Sequence, residues 1–269
     1  MCRWAAYSGE AIYLEDVVSS PQQSLIRQSQ QALEAKTGTN GDGFGIAWYH
    51  GREEPGQYRD ILPAWNDTNL LSLAHQVRSG LFLAHVRAST GTETNRSNCH
   101  PFCVGPWTFM HNGQIGHYDK LRCKLDAMIP EDLYAYRTGT TDSEALFLLA
   151  LGFGLKDDPV NAVMQTVFAV ARLAAEASLP FALRFTAAFS DGKAIYAIRH
   201  ASDDLAPTLY HREMPETNGR VLASEPLDTQ GVGWIAVPPN SFVTMTGGDI
   251  RIEPFCVPNR LGGKVLTAA

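Results

Sequence analysis

The sequence predicts an α+β fold, formed as one domain with two β-sheets. Strand patterns lie at both ends of the chain, long apolar helical patterns lie between them, and no linker rich in Pro, Gly or Ser divides it. The chain has 269 residues, of which 45% are hydrophobic and 19% charged, enough for one large buried core. We therefore expect residues 1–269 to form a single domain, with a core over residues 1–257 and a tail over residues 258–269.

The N-terminal third alternates strand and helix patterns. Strands are expected over residues 2–7, 46–49 and 81–87, which are rich in aromatic and branched apolar side chains. Ser20 followed by Pro21 predicts the start of a first helix, which Gly38 would end. Asp67 is a suitable N-cap for a second helix, which Gly80 would close.

Two polar segments in the middle of the chain have alternative interpretations. Residues 87–98 have the composition of a mobile loop that can close over a pocket, or of an ordinary surface loop. Asn112 and Gly113 stand between apolar runs, which is a strong signal for a hairpin turn. The same pair can present an amide and a backbone N–H to an oxyanion. From this segment alone, a type I′ turn is the expected structure.

The second half of the chain predicts helices followed by strands. The helices are expected over residues 118–128, 131–136, 145–151 and 158–177. Thr141 or Asp142 is the natural N-cap of the third of these helices, so capping alone would account for Asp142. The strands are expected over residues 181–189, 194–199, 221–223, 233–237, 242–246 and 250–252. We expect the tail after Pro258 to be poorly ordered.

Charge and composition narrow the class of ligand. A formal net charge of −6 offers no electrostatic attraction to nucleic acid or to an anionic membrane, so a small molecule is the expected ligand. The longest apolar run, residues 145–155, is too short to span a bilayer, and no signal peptide is recognisable. Five scattered cysteines predict reduced thiols and a cytoplasmic location.

Cys2 directly follows the initiator methionine, which aminopeptidases remove before small residues. A mature N-terminal cysteine carries a thiol nucleophile and an amine base on one residue. Their ordinary pKa values, about 8.5 for the thiol and about 7.7–8.0 for the amine, allow proton exchange near neutral pH. Taken alone, a cysteine at the second position is also common by chance.

The ordered set of motifs in this chain resembles the class II glutamine amidotransferases, a branch of the N-terminal nucleophile hydrolases. The matching residues are Cys2, Asp42-Gly43-Phe44-Gly45-Ile46-Ala47, Arg87, His100-Pro101, His111-Asn112-Gly113, Thr141-Asp142-Ser143-Glu144 and Ala223-Ser224-Glu225-Pro226-Leu227. They extend from residue 2 to about residue 255 and look most like stand-alone members of the YafJ type and the γ-glutamyl hydrolases of thiol metabolism.

The resemblance implies a fold and a chemistry. The fold is a four-layer αββα sandwich, two antiparallel sheets face to face with helices outside. Cys2 is implied to attack the γ-carbonyl of a glutamine or γ-glutamyl group and form a thioester, with Asn112 Nδ2 and the Gly113 N–H holding the oxyanion. Arg87 is implied to bind the substrate α-carboxylate and Asp142 its α-ammonium. Without the resemblance, a surface salt bridge would account for Arg87. No cofactor and no metal is expected.

Other residues invite weaker hypotheses. Cys99, His100 and Cys103 are candidate zinc ligands, but the sequence has no second ligand cluster, so packing is the expected role. His100 and His111 are candidates for an external base, but the mechanism that the resemblance implies assigns that role to the Cys2 amine. We expect Trp4 and Ser224 to lie near the pocket without a chemical role.

Three functions remain open from the sequence. The first is a stand-alone hydrolase of a γ-glutamyl metabolite, which is favoured because nothing in the sequence offers an obvious surface for a protein partner. The second is a glutaminase subunit that delivers ammonia to a separate protein partner. The third is a non-catalytic γ-glutamyl-binding module, in which Met1 would stay in place and block the Cys2 amine.

Overall fold

Two antiparallel sheets, packed face to face and covered on their outer faces by helices, make up the computed structural model. It describes residues 2–34, 38–89, 91–257, 260–261 and 264–265. The strands are β1 (Arg3–Tyr13), β2 (Phe44–Tyr49), β3 (Gly56–Asp60), β4 (Arg78–Val86), β5 (Phe102–Val104), β6 (Trp107–Ile115), β7 (Leu183–Ser190), β8 (Ile195–Ala201), β9 (Tyr210–Met214), β10 (Gly219–Ala223), β11 (Ile235–Ala236), β12 (Ser241–Thr246), β13 (Asp249–Pro254), β14 (Arg260–Leu261) and β15 (Lys264–Val265).

In the described part of the chain, three helices lie between strands β1 and β4, and four lie between strands β6 and β7. They are α1 (Glu15–Val18), α2 (Leu25–Gln30), α3 (Thr68–Gln76), α4 (Tyr118–Asp126), α5 (Glu131–Tyr134), α6 (Asp142–Gly152) and α7 (Pro159–Glu176). Short 3₁₀ turns occur at Ala64–Asn66, Arg96–Asn98 and Pro215–Thr217. Among the described residues, no helix combines the length and the apolar character that crossing a membrane requires.

The first strand is central to its sheet. Sheet one has the order β11-β9-β10-β1-β4-β2-β3, and sheet two has the order β13-β12-β8-β7-β6-β5. β1 pairs antiparallel with β4, with Arg3 opposite Val86, and antiparallel with β10, with Ala5 opposite Ala223. The N-terminus is therefore held at the end of a strand that has a neighbour on each side.

Three apolar clusters separate the layers. One lies between the sheets and includes Trp4 and Leu83 from sheet one with Met110 and Ala188 from sheet two. A second packs α1, α2 and α3 on the outer face of sheet one. The third packs α4, α6 and α7 on the outer face of sheet two, around Phe109 and other aromatic side chains. The expected four-layer αββα sandwich is confirmed.

Two of the predicted helix caps are present. Asp67 caps α3, its Oδ1 accepting from the Leu70 N–H at 2.7 Å, and Thr141 caps α6, its Oγ1 accepting from the Glu144 N–H at 3.2 Å. α3 ends at Gln76 rather than at Gly80, because Gly80 is already within β4.

The first predicted helix is wrong in its start and its end. The Pro21 carbonyl accepts from the Ser24 N–H at 3.0 Å, so Ser20 and Pro21 belong to a preceding turn. Ser24 caps α2, accepting from the Arg27 N–H at 3.3 Å, and the helix ends at Gln30, well before Gly38.

Strands β3 and β9 have no strong sequence signal because their side chains are mostly exposed or half-buried, so no apolar alternation marks them. The expectation of a poorly ordered tail after Pro258 falls mainly outside the described residues. Within the tail, the structure describes only the pairing of β14 with β15.

Candidate active site

Cys2 directly precedes β1, at the edge where that strand meets β4. Its Sγ lies 3.6 Å from the Ala88 carbonyl oxygen, to which the thiol donates. The side chain is partly buried, and this burial raises the pKa of the Cys2 thiol above its ordinary value. At neutral pH the resting form is therefore the protonated thiol, and a base must take its proton before it can attack a carbonyl.

Strand β1, which begins directly after Cys2, is joined to the segment after β10 by a pair of hydrogen bonds. The Trp4 N–H donates to Ser224 Oγ at 2.9 Å, and the Ser224 N–H donates to the Trp4 carbonyl at 3.0 Å. Both residues are fully buried. Ser224 thus extends the pairing of β1 by one step and fixes the backbone two residues from the thiol.

Arg87 follows β4 and is adjacent to Cys2 across the strand pair. Its guanidinium donates to Thr92 Oγ1 at 2.7 Å and to the Asp42 and Glu93 carbonyl oxygens at 3.1 and 3.2 Å. The residue is 3% exposed, and all the hydrogen-bond partners of its guanidinium among the described residues are neutral carbonyl and hydroxyl oxygens. A surface salt bridge therefore does not account for Arg87, which carries a buried positive charge without an acidic partner among the described side chains.

Asn112 and Gly113 are inside β6, so the predicted hairpin turn is wrong. They pair with Thr186 and Phe185 of β7, and this long-range pairing outweighs the local turn preference of Asn-Gly. Gly113 is required by close packing, since a Cβ there would collide with the Arg184 carbonyl oxygen.

The Asn112 side chain has no hydrogen-bond partner among the residues that the structure describes. It is fully buried, and neither its Oδ1 nor its Nδ2 is bonded. A buried amide left in this way costs about 1–3 kcal/mol, so the position is one where an external partner would be stabilising.

Asp142 is the first residue of α6, but it is not the cap of that helix. Thr141 is the cap, with Oγ1 accepting from the Glu144 N–H at 3.2 Å. Asp142 Oδ2 instead accepts from the Ile115 N–H at 2.8 Å, and Oδ1 accepts from the Ser143 N–H at 2.8 Å. A carboxylate has about four acceptor sites, so Asp142 retains capacity for a cation.

A cavity of about 580 Å³ lies over Asp142. Its lining comes from residues 91–93, residues 114–119, Arg122, Thr140 and Asp142. Arg87 bonds to Thr92 and Glu93 in this lining, so its guanidinium supports one wall of the cavity, and the Asp142 carboxylate forms part of another. Cys2, Arg87 and Asn112 are not themselves among the lining residues.

A family model described as class II glutamine amidotransferases matches residues 21–257. The chain belongs to the class II glutamine amidotransferases. It is therefore an enzyme of the amidohydrolase type, concerned with glutamine or γ-glutamyl amide bonds.

Individual relatives cover nearly the whole chain. A Saccharomyces cerevisiae protein named probable glutamine amidotransferase DUG3 is 31% identical, over 94% of this chain and 84% of its own. The γ-glutamyl-hercynylcysteine sulfoxide hydrolase of Mycolicibacterium smegmatis is 29% identical, over 94% of this chain and 100% of its own. A solved class II domain protein from Silicibacter pomeroyi is 39% identical with a TM-score of 0.74, over 94% of this chain and 99% of its own.

Three buried histidines lie in or beside strand β6 of this amidotransferase. His111 faces Ser143 Oγ through Nδ1 at 2.8 Å and the Arg184 carbonyl through Nε2 at 3.1 Å. His85 Nε2 donates to the His111 carbonyl at 3.3 Å, and the His85 and His100 rings are 4.2 Å apart. Burial lowers the pKa of all three, that of His85 to about 3, so they are neutral at pH 7.

The zinc hypothesis for Cys99, His100 and Cys103 finds no geometric support. His100 packs between the rings of His85 and Phe102, and Cys103 accepts a hydrogen bond from Gln57 Nε2 at 3.1 Å. Across the part of the chain that the structure describes, no group of three or more potential ligands could hold a metal ion.

Sequence reasoning missed Asn98, which ties the polar loop to the start of α6. Asn98 Nδ2 donates to the Glu93 carbonyl and to Thr140 Oγ1, both at 3.0 Å, and Oδ1 accepts from the Thr140 N–H at 2.7 Å. The two bonds between Asn98 and Thr140 join residues that are 42 positions apart, so no local sequence pattern reveals them. Asn98 sets the distance between two walls of the cavity.

Proposed function

We propose that the chain hydrolyses a γ-glutamyl amide through a thioester on Cys2, as a stand-alone enzyme. One observation carries the proposal: the partly buried Cys2 thiol lies beside Arg87, a buried cation without an acidic partner among the described residues. A buried cation of this kind is stabilised when a ligand supplies the anion. The α-carboxylate of a γ-glutamyl group would do so, bound bidentate by the guanidinium.

The rest of the glutamyl group would be held from sheet two and α6. The α-ammonium would bind Asp142, whose carboxylate lines the cavity. The γ-carbonyl oxygen would accept from Asn112 Nδ2, which has no hydrogen-bond partner among the described residues, and from the Gly113 N–H. Loss of one such oxyanion donor in comparable sites lowers kcat by about 10²–10³-fold.

The chemical steps follow from these placements once Met1 is removed. The Cys2 thiol gives its proton to its own amine, and the sulfur attacks the γ-carbonyl carbon to form a tetrahedral adduct. The adduct collapses to a thioester as the carbon–nitrogen bond breaks, and the leaving amine takes the proton. Water then attacks the thioester, releasing glutamate and restoring the thiol.

The neighbouring histidines do not offer a better base. His85, His100 and His111 are buried with pKa values below the ordinary range, which makes them weak bases. The hydrogen bonds described for the Cys2 thiol go to the Ala88 carbonyl and not to an imidazole. The amine of a mature Cys2 is therefore the base we assign.

The wider proposal concerns substrate, organisation and location. A relative matched over 100% of its own length is named γ-glutamyl-hercynylcysteine sulfoxide hydrolase, which favours a γ-glutamyl metabolite over free glutamine. We propose that residues 1–257 act as one catalytic domain with residues 258–269 as its tail. A reduced nucleophilic thiol fits a cytoplasmic location.

The test begins with intact mass, which shows whether Met1 has been removed. The mature protein is then assayed for glutamate release from a panel of γ-glutamyl amines and from glutamine, and treated with a diazoketone analogue of glutamine. We expect turnover of γ-glutamyl amines by the isolated chain, and one covalent adduct on Cys2. Cys2→Ala should lose both, with kcat reduced by at least about 10³-fold, whereas Cys123→Ala, which removes an exposed thiol, should retain both.

The alternatives predict different results. A glutaminase subunit would hydrolyse γ-glutamyl amines poorly until its partner is added. A binding module would keep Met1 and would bind γ-glutamyl compounds without releasing glutamate. Unchanged glutamate release by Cys2→Ala would refute the thioester mechanism.

A further inference from the structure

A buried hydrogen-bond chain connects Asp142 to the residue before Asn112. Ser143 Oγ lies 2.8 Å from His111 Nδ1 and 3.2 Å from Asp142 Oδ1, and the Ser143 N–H donates to the same Oδ1 at 2.8 Å. His111 is 1% exposed and Ser143 5% exposed, so solvent does not compete for these bonds.

The proton positions in this chain follow from one acceptor. The Arg184 carbonyl can only accept, so His111 Nε2, at 3.1 Å from it, carries the hydrogen. In the neutral imidazole Nδ1 is then an acceptor, and the Ser143 hydroxyl donates to it. The single hydroxyl proton of Ser143 therefore connects α6 to β6 and is not available to Asp142 at the same time.

The His111 imidazole also lies against the backbone of Gly113. A Cβ at Gly113 would come within 2.5 Å of His111 Nε2. The His111 carbonyl in turn accepts from His85 Nε2 at 3.3 Å. The strand segment that carries Asn112 is thus held in two ways. The His111 side chain packs on one face of it, and the His111 carbonyl accepts a hydrogen bond from His85 of sheet one.

Asp142 reaches β6 a second time beyond Gly113. Its Oδ2 accepts from the Ile115 N–H at 2.8 Å. One carboxylate therefore connects to both sides of the Asn112–Gly113 pair, through Ser143 and His111 before it and through Ile115 after it. A change in the orientation of this carboxylate is transmitted to the backbone on both sides of the two donors.

We propose that His111 and Ser143 are positioning residues that couple the Asp142 carboxylate to Asn112 and Gly113, so that an ammonium bound at Asp142 aligns the oxyanion donors. The inference rests on the proposed function and adds a kinetic property to it. The substrate α-ammonium should then increase kcat as well as lower KM, because part of its binding free energy is expressed at the reacting carbonyl.

The test compares a γ-glutamyl amide with the glutaryl amide of the same amine, which lacks only the α-ammonium. For the mature wild-type enzyme we expect kcat to fall about tenfold on removal of the ammonium, the scale of one charged hydrogen bond, with KM raised as well. In Ser143→Ala the kcat ratio of the two substrates should approach one, while the KM difference remains because Asp142 is still present.

Control variants separate coupling from a general structural effect. Thr141→Ala removes the cap of the same helix and should leave the kcat ratio at its wild-type value. Ser143→Thr keeps the hydroxyl and should restore the ratio. If Ser143→Ala does not fold, Ser143→Cys replaces the hydroxyl with a weaker donor, and it should give an intermediate ratio.

Three outcomes would overturn the inference. If the wild-type kcat is the same for the γ-glutamyl and the glutaryl amide, the coupling is refuted. It is also refuted if the ratio of these two kcat values is equal in wild type and Ser143→Ala. In both cases γ-glutamyl turnover itself would stand. Absence of turnover of either substrate by the mature wild type would instead refute the proposed function, and the coupling with it.

Discussion

Buried polar groups are hydrogen-bonded in one region of the molecule and left without partners in another. The first region is the cavity wall, by which we mean residues 93–98 and 137–144, including those that support the lining from behind. In this wall, Asn98 and Glu144 are buried and every side-chain nitrogen and oxygen of both is hydrogen-bonded. In the inter-sheet layer beside Cys2, the Asn112 amide and His85 Nδ1 have no hydrogen-bond partner among the described residues. The wall contributes stability, whereas the layer keeps hydrogen-bonding groups available at a cost in stability.

The same contrast appears in the charges. Glu144 in the wall accepts from Arg137 at 2.7 Å and from the Gly139 N–H at 2.8 Å, so both charges of that pair are compensated. Arg87 beside Cys2 has only neutral partners among the described residues. A buried charge that is paired within the protein stabilises the fold. A buried charge without an acidic partner can instead bind a substrate group of opposite charge.

The largest expected effect is on the wall. Glu144→Ala would leave the Thr138 and Gly139 N–H groups without their acceptor and Arg137 with Asp126 as its remaining carboxylate partner, so we expect the free energy of unfolding to fall by about 2–4 kcal/mol. Urea denaturation at pH 7.5 would measure it, with the exposed Glu131→Ala as control. A loss below about 1 kcal/mol would contradict the role assigned to the wall.

A pair of asparagines tests the comparison directly, since Asn98 and Asn112 are both fully buried. Asn112→Ala should lower kcat by about 10²–10³-fold while leaving the free energy of unfolding unchanged or raised, because it removes an amide with no partner. Asn98→Ala should instead lower the free energy of unfolding by about 1–3 kcal/mol. Steady-state kinetics and urea denaturation of both variants provide the readings. Equal destabilisation by the two changes would show that the layers do not differ.

The smallest expected effect depends on pH. Burial lowers the pKa of folded His85 to about 3, while the unfolded chain titrates near its ordinary value of about 6.5. The unfolded state therefore binds the proton first, and this stability is complete above about pH 6.5 and declines as pH falls toward 3. The decline reaches about 1.4 kcal/mol per pH unit for one histidine.

Replacing His85 should flatten that dependence. We expect the free energy of unfolding of His85→Gln to change less between pH 7.5 and pH 5 than that of the wild type. His50→Gln, which replaces an exposed histidine, serves as the control and should keep the wild-type slope. Identical slopes in wild type and His85→Gln would show that His85 does not titrate in this way.

Local signals predicted those elements whose ends are set by local chemistry. The caps Asp67 and Thr141 were predictable because a side-chain oxygen bonds a backbone N–H three residues away. Strands β3 and β9 were not, since their side chains are mostly exposed or half-buried and show no apolar alternation, although each strand pairs with a neighbour close in sequence. The Asn112–Gly113 turn prediction failed for a different reason, because long-range pairing with β7 outweighs a local preference.

The sequence by itself determined the family, since the order of its short motifs is a property of the chain that needs no coordinates. It also contained the residue types that we propose for attack, for oxyanion binding and for the two substrate charges. Only the tertiary structure decided that Arg87 is buried without an acidic partner among the described residues, that the Asn112 side chain has no hydrogen-bond partner among them, and that Asp142 connects to β6 on both sides of the Asn112–Gly113 pair. Burial and hydrogen bonding are set by residues far apart in the chain, so no local pattern contains them.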